Sequence, residues 1–274
     1  MKENNKLCNA ETKKAIFFDI DGTLHCPTVG IPLSAKQGIK KLKENGHLVF
    51  ICTGRTKAML FNELDDMGFD GIIAGAGTYV EYEKEVLYRY DLDEETAGCI
   101  ASDFRTRDII PVPEGHDIFY LEDENNWSAE YKYVYEKYYS NVGGCIEKMP
   151  EDDKGIKCAK MSGVMHKACD MEKVKAAYEE DYLVVLHGNV IIELIPKGFS
   201  KAEGIKVMLE KLGIKRENTY AFGDSMNDYE MLEYVEYGIA MGNADEKLIK
   251  VASYVTDTVE NDGIYKALEK YDLI

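Results

Sequence analysis

The segment Asp19-Ile20-Asp21-Gly22-Thr23 directly follows the apolar run Ala15-Ile16-Phe17-Phe18. A short apolar run that ends in turn-forming residues predicts a buried strand. The two carboxylates therefore lie at the carboxyl end of a strand, where open α/β sheets bind their ligands. Because side chains alternate along a strand, Asp19 and Asp21 are expected to project to the same side. Two such charges repel by roughly 4 kcal/mol at about 4 Å and an effective dielectric of about 20, so the pair indicates a bound cation or a function.

Strand and helix signals alternate in the sequence around this segment. Further buried strands are predicted at 47–52 and 71–74. One helix is predicted to begin at an N-cap at Ser34, and a second is predicted over 56–67 with a stop at Gly68. Strands separated by helices of this length predict βαβ units and a parallel sheet.

The pattern changes near Tyr79, where two antiparallel strands joined by a polar turn are predicted at 79–82 and 86–90. The segment that follows has elements of its own, predicted as helices 94–107 and 170–180 and strands 118–120, 160–164 and 183–186. Strand and helix alternation then resumes, with strands predicted at 190–194, 220–223 and 237–241 and helices at 201–212, 228–235 and 263–271. We therefore predict a core formed by 1–84 and 189–274, with residues 85–188 inserted as a second domain.

Composition narrows the function classes. The chain has 274 residues and a net charge of −17, which disfavours nucleic acid because its phosphates are bound mainly by Lys and Arg. No stretch reaches the roughly 20 apolar residues of a membrane span, and residues 1–11 lack an apolar signal-peptide core. The seven cysteines form no Cys-x-x-Cys pair, which favours free thiols in a reducing compartment. A cytoplasmic protein, monomeric or homodimeric, is expected.

Four polar motifs carry the chemistry, and three of them come where a predicted strand ends. They are Asp19/Asp21, Thr53-Gly54-Arg55, Lys201, and Gly223-Asp224-Ser225-Met226-Asn227-Asp228. The carboxyl ends of parallel strands lie on one edge of a sheet, so these motifs can meet in one crevice. Carboxylate oxygens suit Mg²⁺, the Thr53 hydroxyl and the Gly54 N–H suit phosphate oxygens, and Lys201 supplies a positive charge. The motifs therefore predict phosphoryl transfer with an aspartate nucleophile.

These motifs resemble the four signature motifs of the haloacid dehalogenase superfamily. Ala240-Met241-Gly242-Asn243-Ala244 and Asn261-Asp262-Gly263-Ile264 are similar to the C-terminal pattern of its Cof-type phosphatases, which carry a large cap (class IIB, C2 type) between the second and third motifs. The resemblance spans nearly the whole chain. It implies an α/β fold in which a Rossmann-like parallel sheet, flanked by helices, carries an inserted α/β cap domain.

The resemblance also implies a role for each matching residue. Asp19 is the implied nucleophile and a metal ligand, and Asp21 is the implied general acid/base, with its backbone carbonyl on Mg²⁺. Asp224 completes the implied metal site, and Asp228 is an acid that supports it. The implied contacts to the phosphoryl group come from Thr53, Gly54, Lys201 and Asn227.

Several features leave alternatives open. The family often has Asn-Gly-Ala where this chain has Ala74-Gly75-Ala76-Gly77, so a substrate contact from the side chain at Gly75 is not expected. Arg55 either contacts the substrate or begins a helix. The run Tyr131, Tyr133, Tyr135, Tyr138 and Tyr139 favours packing within the cap over a stacking platform for a substrate ring. His187 is expected to be structural.

The sequence thus predicts a Mg²⁺-dependent phosphatase that acts on a small phosphorylated metabolite through an aspartyl-phosphate. A sugar phosphate is the preferred substrate, with flavin mononucleotide and pyridoxal phosphate left open. The alternatives are a phosphomutase of the same superfamily and a non-catalytic sensor of a phosphorylated metabolite. The choice between Mg²⁺ and Mn²⁺ is also open.

Overall fold

A computed structural model describes residues 13–140, 142, 144–166, 169–187 and 190–274. Residues 1–11, which include Cys8, one of the seven cysteines, lie outside the described residues, as does the side chain of Tyr138. The helices are α1 (Leu33–Glu44), α2 (Glu94–Thr106), α3 (Ala129–Val134), α4 (Met171–Tyr178), α5 (Lys201–Leu212), α6 (Tyr229–Tyr234), α7 (Glu246–Ile249) and α8 (Gly263–Lys270). Within the described ranges, no helix combines the length and the apolarity that crossing a membrane requires.

The strands form two sheets. They are β1 (Ala15–Phe18), β2 (Leu48–Cys52), β3 (Gly71–Ala74), β4 (Tyr79–Tyr82), β5 (Glu85–Arg89), β6 (Ile109–Glu114), β7 (Ile118–Leu121), β8 (Cys145–Lys148), β9 (Lys160–Met165), β10 (Tyr182–His187), β11 (Ile191–Pro196), β12 (Thr219–Gly223), β13 (Tyr237–Ala240) and β14 (Tyr254–Val255). The larger sheet has the order β14-β13-β12-β1-β2-β3-β4-β5, and the smaller has the order β10-β11-β9-β6-β7-β8.

The larger sheet is parallel from β14 to β3 and antiparallel at β4 and β5. Alternation along β1 sends its side chains to two hydrophobic clusters, one on each face of the sheet. Phe18 stacks on Phe222 on one face, and Phe17 stacks on Phe50 on the other, each with ring centroids 5.0 Å apart. The predicted α/β fold with a parallel sheet is therefore confirmed.

The smaller sheet belongs to the inserted segment and has one face covered by helices. Helices α2 and α4 contribute Phe104 and Val174 to the cluster on that face. Part of the other face packs against residues of the larger domain, because Ala58 and Met59 share a cluster with Phe119. The remainder of that face is polar and lies opposite the carboxyl edge of the larger sheet.

Sheet membership differs from the predicted division of the chain at two strands. β5, which we predicted to open the inserted domain, pairs with β4 in the larger sheet. β11, which we predicted to return to the core, pairs with both β10 and β9 and so lies inside the smaller sheet. By sheet membership, the boundaries between the proposed core and the proposed cap lie nearer to residues 90 and 197 than to residues 85 and 188.

Two local predictions were wrong. The predicted helix over 56–67 is two 3₁₀ segments, Lys57–Met59 and Asn62–Met67, because Met59 turns towards the cap and its carbonyl accepts a hydrogen bond from Arg55 (3.3 Å). Ser34 is not an N-cap, since α1 begins at Leu33 and the Ser34 hydroxyl donates to Asp262 Oδ1 (2.5 Å).

Candidate active site

The predicted motifs meet at the carboxyl ends of β1, β2 and β12, around a cavity of about 230 Å³. Its floor includes Asp19 and Asp21 after β1, Thr53-Gly54-Arg55 after β2, and Ser225 and Asn227 after β12. Neighbouring parallel strands place these residues side by side, as the sequence predicted. The polar face of the smaller sheet forms the opposite wall of the same cavity.

Asp19 and Lys201 form a buried ion pair at the base of the cavity. Lys201 is the first residue of α5, and its ammonium lies 2.6 Å from Asp19 Oδ1 and 2.5 Å from Asp228 Oδ1. Burial raises the pKa of Asp19 well above its ordinary value, Lys201 opposes that shift, and Asp228 and Asp224 add to it. Burial alone would lower the pKa of Lys201, but Asp19 and Asp228 raise it, so the ammonium stays charged.

Asp228 organises the loop that follows β12. Its Oδ2 accepts hydrogen bonds from the backbone N–H groups of Asp224 (3.0 Å) and Ser225 (3.1 Å). Ser225 and Asp228 form a capping box, so the cap of this short turn is Ser225 and not Asn227. The Asn227 amide oxygen instead accepts from the Ser225 hydroxyl (2.8 Å). A Cβ at Gly223 would lie 2.5 Å from Asp228 Cγ, so only glycine leaves room for this carboxylate.

Asp224 is held against the loop that carries Asp21. Its Oδ1 accepts from the Thr23 hydroxyl (3.4 Å), and its Oδ2 accepts from the Asn243 amide (3.0 Å). Gly22 has a φ of +84°, and a Cβ there would lie 2.1 Å from Asp224 Oδ2, so the approach requires glycine. Burial and the nearby Asp228 raise the pKa of Asp224 to about 7.

The carboxylates fit a divalent metal ion. Asp19, Asp224 and Asp228 each offer one oxygen, and these three atoms lie within 4.8 Å of one another. Carboxylate oxygens are the ligands that Mg²⁺ prefers. Lys201 contacts Asp19 and Asp228, and Asp224 forms no ion pair with a described residue. Burial and Asp228 raise the pKa of Asp224, and Lys201 only partly opposes that shift. The Asp21 side chain lies outside this cluster, so its predicted ligation through the backbone carbonyl stays a prediction.

The Asp21 side chain pairs with Arg55. The guanidinium makes two hydrogen bonds to the carboxylate, Nε to Oδ2 at 2.6 Å and Nη2 to Oδ1 at 2.9 Å. Burial raises the pKa of Asp21, but Arg55 outweighs it and holds that pKa below the ordinary value. Arg55 also lies over the ring of Phe61, 4.4 Å from its centroid. The segment after Arg55 is the 3₁₀ turn Lys57–Met59, so Arg55 does not begin a regular helix. That excludes one of the two roles that the sequence left open for Arg55.

The loop after β3 positions two of the motifs. Gly75 N–H donates to the Arg55 carbonyl (2.7 Å), and Ala76 N–H donates to the Thr53 carbonyl (3.0 Å). Gly77 has a φ of +94°, and a Cβ there would lie 2.2 Å from the Ser200 carbonyl, next to Lys201. The segment that replaces the family's Asn-Gly-Ala thus supports the site through its backbone.

The cap side of the cavity contains residues to which the sequence analysis assigned no role in the site. They are Glu114, Tyr139, Ser162, His187, Ile191 and Glu193. His187 was expected to be structural, yet it lines the cavity. Tyr131 and Tyr139 pack in the cap as predicted, although Tyr139 also reaches the cavity. The sequence did contain a signal for this side of the cavity, because Glu193 is a charged residue inside the apolar run 190–194.

The comparisons with known proteins agree with this geometry. The sequence pattern of the haloacid dehalogenase-like hydrolases matches residues 16–268. A putative phosphatase of Bacillus subtilis (strain 168), YkrA, is 34% identical over 266 residues, covering 95% of this chain and 98% of that protein. YitU of the same organism, a 5-amino-6-(5-phospho-D-ribitylamino)uracil phosphatase, is 28% identical over 95% of this chain and 98% of its own length.

A solved structure of a subclass IIB sugar phosphatase superposes with a TM-score of 0.81 at 28% identity, covering 96% of this chain and all of that one. The chain therefore belongs to the haloacid dehalogenase-like hydrolases, in the group of capped, Cof-type phosphatases. It is an enzyme of the phosphatase class, as the sequence predicted.

Proposed function

We propose that this enzyme hydrolyses a small phosphorylated metabolite, a sugar phosphate, through an aspartyl-phosphate on Asp19 with Mg²⁺ as cofactor. The observation that carries the proposal is the position of Asp19. Its side chain lines the cavity, while Oδ1 is held by Lys201 and the carboxylate stands within metal-bridging distance of Asp224. That arrangement fixes one oxygen and leaves the other to attack phosphorus.

The phosphoryl group is proposed to bind between the first two strand ends and the loop after β12. Thr53, Gly54 and Asn227 all line the cavity and offer hydroxyl, backbone N–H and amide groups. Lys201 is fully buried beneath Asp19 and acts by holding the charge of that carboxylate. A bound Mg²⁺ would neutralise phosphate charge and lower the pKa values of Asp19 and Asp224, which metal ligation requires.

Asp21 is proposed to move the protons. In the first step an Asp19 oxygen bonds to phosphorus, the ester P–O bond breaks, and Asp21 gives its proton to the leaving oxygen. In the second step water attacks phosphorus, the bond between phosphorus and the Asp19 oxygen breaks to release phosphate and the free carboxylate, and Asp21 takes the proton that the water loses. The low pKa of Asp21 beside Arg55 suits the second step. The first step requires substrate to separate Asp21 from Arg55, which also lines the cavity.

The size of the cavity supports a compact substrate. Its volume of about 230 Å³ lies below the range of roughly 300–1,000 Å³ that is typical of small-molecule sites. A sugar phosphate fits this volume better than flavin mononucleotide does. Two of the proteins named above, the 5-amino-6-(5-phospho-D-ribitylamino)uracil phosphatase YitU and the subclass IIB sugar phosphatase, support this choice by their named substrates.

The test is phosphate release from a panel of metabolite esters, with Mg²⁺, with Mn²⁺ and with a chelator. Metal-dependent release from sugar phosphates is expected, together with a hydroxylamine-labile phosphoprotein after rapid acid quench. Phosphorus NMR that shows an isomerised ester without free phosphate would instead identify a mutase. Tight binding of an ester without turnover would identify a sensor. The cytoplasmic location and the monomeric or homodimeric state belong to the same proposal, and light scattering checks the latter.

A further inference from the structure

The cap wall of the cavity is a set of polar side chains on one face of the smaller sheet. Glu114 on β6 is opposite Lys160 on β9, and Ser162 on β9 is opposite Glu193 on β11. Because Lys160 and Ser162 are two residues apart on one strand, all four side chains project to the same face. All four are buried. Burying charges is costly, so this cluster needs a physical reason.

Glu193 has its charge compensated from both sides. Its Oε1 accepts from the Lys160 ammonium, and its Oε2 lies 2.8 Å from His187 Nε2. Burial raises the pKa of Glu193, but Lys160 and His187 outweigh it and hold that pKa well below the ordinary value. Lys160 does not line the cavity, so its positive charge is used within the wall.

Glu114 has acceptor capacity left over. Its Oε2 is 2.9 Å from the Lys160 ammonium but outside hydrogen-bonding geometry, and this buried atom accepts no hydrogen bond from the described residues. The hydroxyls of Ser162 and Tyr139 also line the cavity, and no described residue is hydrogen-bonded to either one. Glu114, Ser162 and Tyr139 line the cavity, so the wall presents carboxylate and hydroxyl groups to whatever enters.

We propose that this wall binds the leaving group of the substrate through its hydroxyl hydrogens and excludes a second anionic group. The enzyme would thus take the monophosphate of an uncharged polyol or sugar, and reject phosphorylated acids and bisphosphates. The inference rests on the proposed function, because it assigns the far end of the same substrate. The carboxylates that favour hydroxyl donors repel a substrate carboxylate, and the cations of the wall itself are already engaged, since Lys160 pairs with Glu114 and Glu193 and His187 pairs with Glu193.

Sorbitol 6-phosphate and 6-phosphogluconate make a matched pair, because they differ only in a terminal CH₂OH or carboxylate. For the wild-type enzyme with Mg²⁺, kcat/KM for sorbitol 6-phosphate should exceed that for 6-phosphogluconate by more than about tenfold, given the cost of facing like charges. Equal values, or a preference for 6-phosphogluconate, would overturn the inference.

The variant Glu114→Gln keeps the shape of the side chain and removes its charge. It should reduce the preference for sorbitol 6-phosphate by about tenfold, chiefly by raising kcat/KM for 6-phosphogluconate. Ser162→Ala, which adds no charge imbalance, should lower kcat/KM for sorbitol 6-phosphate by about three- to tenfold through one lost hydrogen bond. Glu147→Gln, on the exposed strand β8, is the matched control and should change neither value.

p-Nitrophenyl phosphate separates failure of this inference from failure of the proposed function. If p-nitrophenyl phosphate is hydrolysed but the enzyme does not discriminate between the paired esters, or hydrolyses neither of them, the polyol site is rejected. The proposed phosphatase function would then still hold. If no ester is hydrolysed, the proposed function fails, and calorimetric binding of the two esters still decides the inference. Tighter binding of 6-phosphogluconate would then reject it.

Discussion

The ammonium of Lys201 lies 2.6 Å from the carboxylate of Asp19, although 182 positions separate the two residues in the chain. The same ammonium contacts Asp228, so one cation serves two buried carboxylates. Burial and the neighbouring acids act together to raise the pKa of Asp19, and the positive charge of Lys201 lowers it. The nucleophilic state of Asp19 therefore depends on this contact.

Replacement of the proposed nucleophile tests the centre of the site. Asp19→Asn should lower kcat/KM for any ester by at least about 10³-fold, because the amide cannot form an acyl phosphate. The fold should survive, since burial disfavours the charge that is removed and Lys201 keeps Asp228 as a partner. Phosphate release and thermal unfolding measure the two effects. Asp152→Asn on the exposed cap surface is the control, and activity above about a tenth of wild type would contradict the assignment.

The raised pKa of Asp224 predicts a pH-dependent effect of metal on stability. The pKa of Asp224 is about 7 in the folded protein, against an ordinary value of 3.8. Between these two pH values, Asp224 is ionised in the unfolded chain but protonated in the folded protein. Asp224 therefore destabilises the metal-free protein increasingly as pH rises from about 4 to 7. Mg²⁺ binds the ionised form, so it should raise the unfolding temperature near pH 8 and change it little near pH 5.

Differential scanning calorimetry with Mg²⁺ or a chelator, at both pH values, measures this difference. Asp224→Asn should reduce the pH dependence of the metal effect. Carboxyl titration by NMR should show one aspartate that titrates near neutral pH only when metal is absent. Equal stabilisation by Mg²⁺ at the two pH values would argue against Asp224 as a ligand.

Gly22 tests the close approach of two loops. Gly22→Ala adds a Cβ about 2.1 Å from Asp224 Oδ2 at a φ of +84°, so the carboxylate has to move. Gly30→Ala has a similar φ of +66° and nothing within 4 Å, so it isolates the backbone strain of roughly 1 kcal/mol. Urea unfolding should show a larger loss for Gly22→Ala, and the Mg²⁺ concentration for half-maximal activity should rise only for that variant. Equal losses of stability and equal Mg²⁺ requirements in the two variants would mean that the loop adjusts without disturbing Asp224.

Arg55 tests the proton-transfer assignment. In Arg55→Gln the strongest influence that opposes the burial of Asp21 is lost, so the pKa of Asp21 rises. The step in which Asp21 accepts a proton from water needs the ionised form, so the acidic limb of the pH–rate profile should move to higher pH. Arg107→Gln, which breaks an exposed pair with Asp103 on α2, is the control. A lower rate with an unshifted profile would indicate only a structural role.

The sequence predicted the sheet and the meeting of the motifs because both depend on local signals. Asp19 and Asp224 each follow an apolar run that had to become a parallel strand, and parallel strands end on one edge. The broken helix after Thr56 was not predictable in this way. Its cause is the contact of Met59 with Arg55 and with the cap, which depends on tertiary packing.

The cap wall was also hidden from sequence reasoning, for a different reason. Glu114 and Glu193 lie 79 positions apart in the chain, and they meet only because β9 lies between their strands. An acid in an apolar strand is a local signal, but its partner is set by strand order, which a single sequence does not reveal. The same order places the ammonium of Lys160 between the two acids.

The charge balance of the cap wall gives the last prediction. Lys160→Met leaves Glu114 and Glu193 buried without their shared cation, which should cost about 3–5 kcal/mol of cap stability. Trp127, the single tryptophan, packs in the cap and reports its unfolding in urea by fluorescence. Lys148→Met, from an exposed pair with Asp123, should cost less than about 1 kcal/mol.

The pH dependence of the Lys160→Met loss separates lost charge from lost packing. Without Lys160, burial is less opposed and the pKa of Glu193 rises, so the carboxyl becomes easier to protonate in the folded cap. A carboxyl group whose pKa is raised in the folded state destabilises the protein increasingly as pH rises. The loss of stability in Lys160→Met should therefore be larger near pH 8 than near pH 5. The triple variant that adds Glu114→Gln and Glu193→Gln removes every unbalanced carboxylate and should recover most of the stability. An equal loss at both pH values and in the triple variant would show that Lys160 acts through packing.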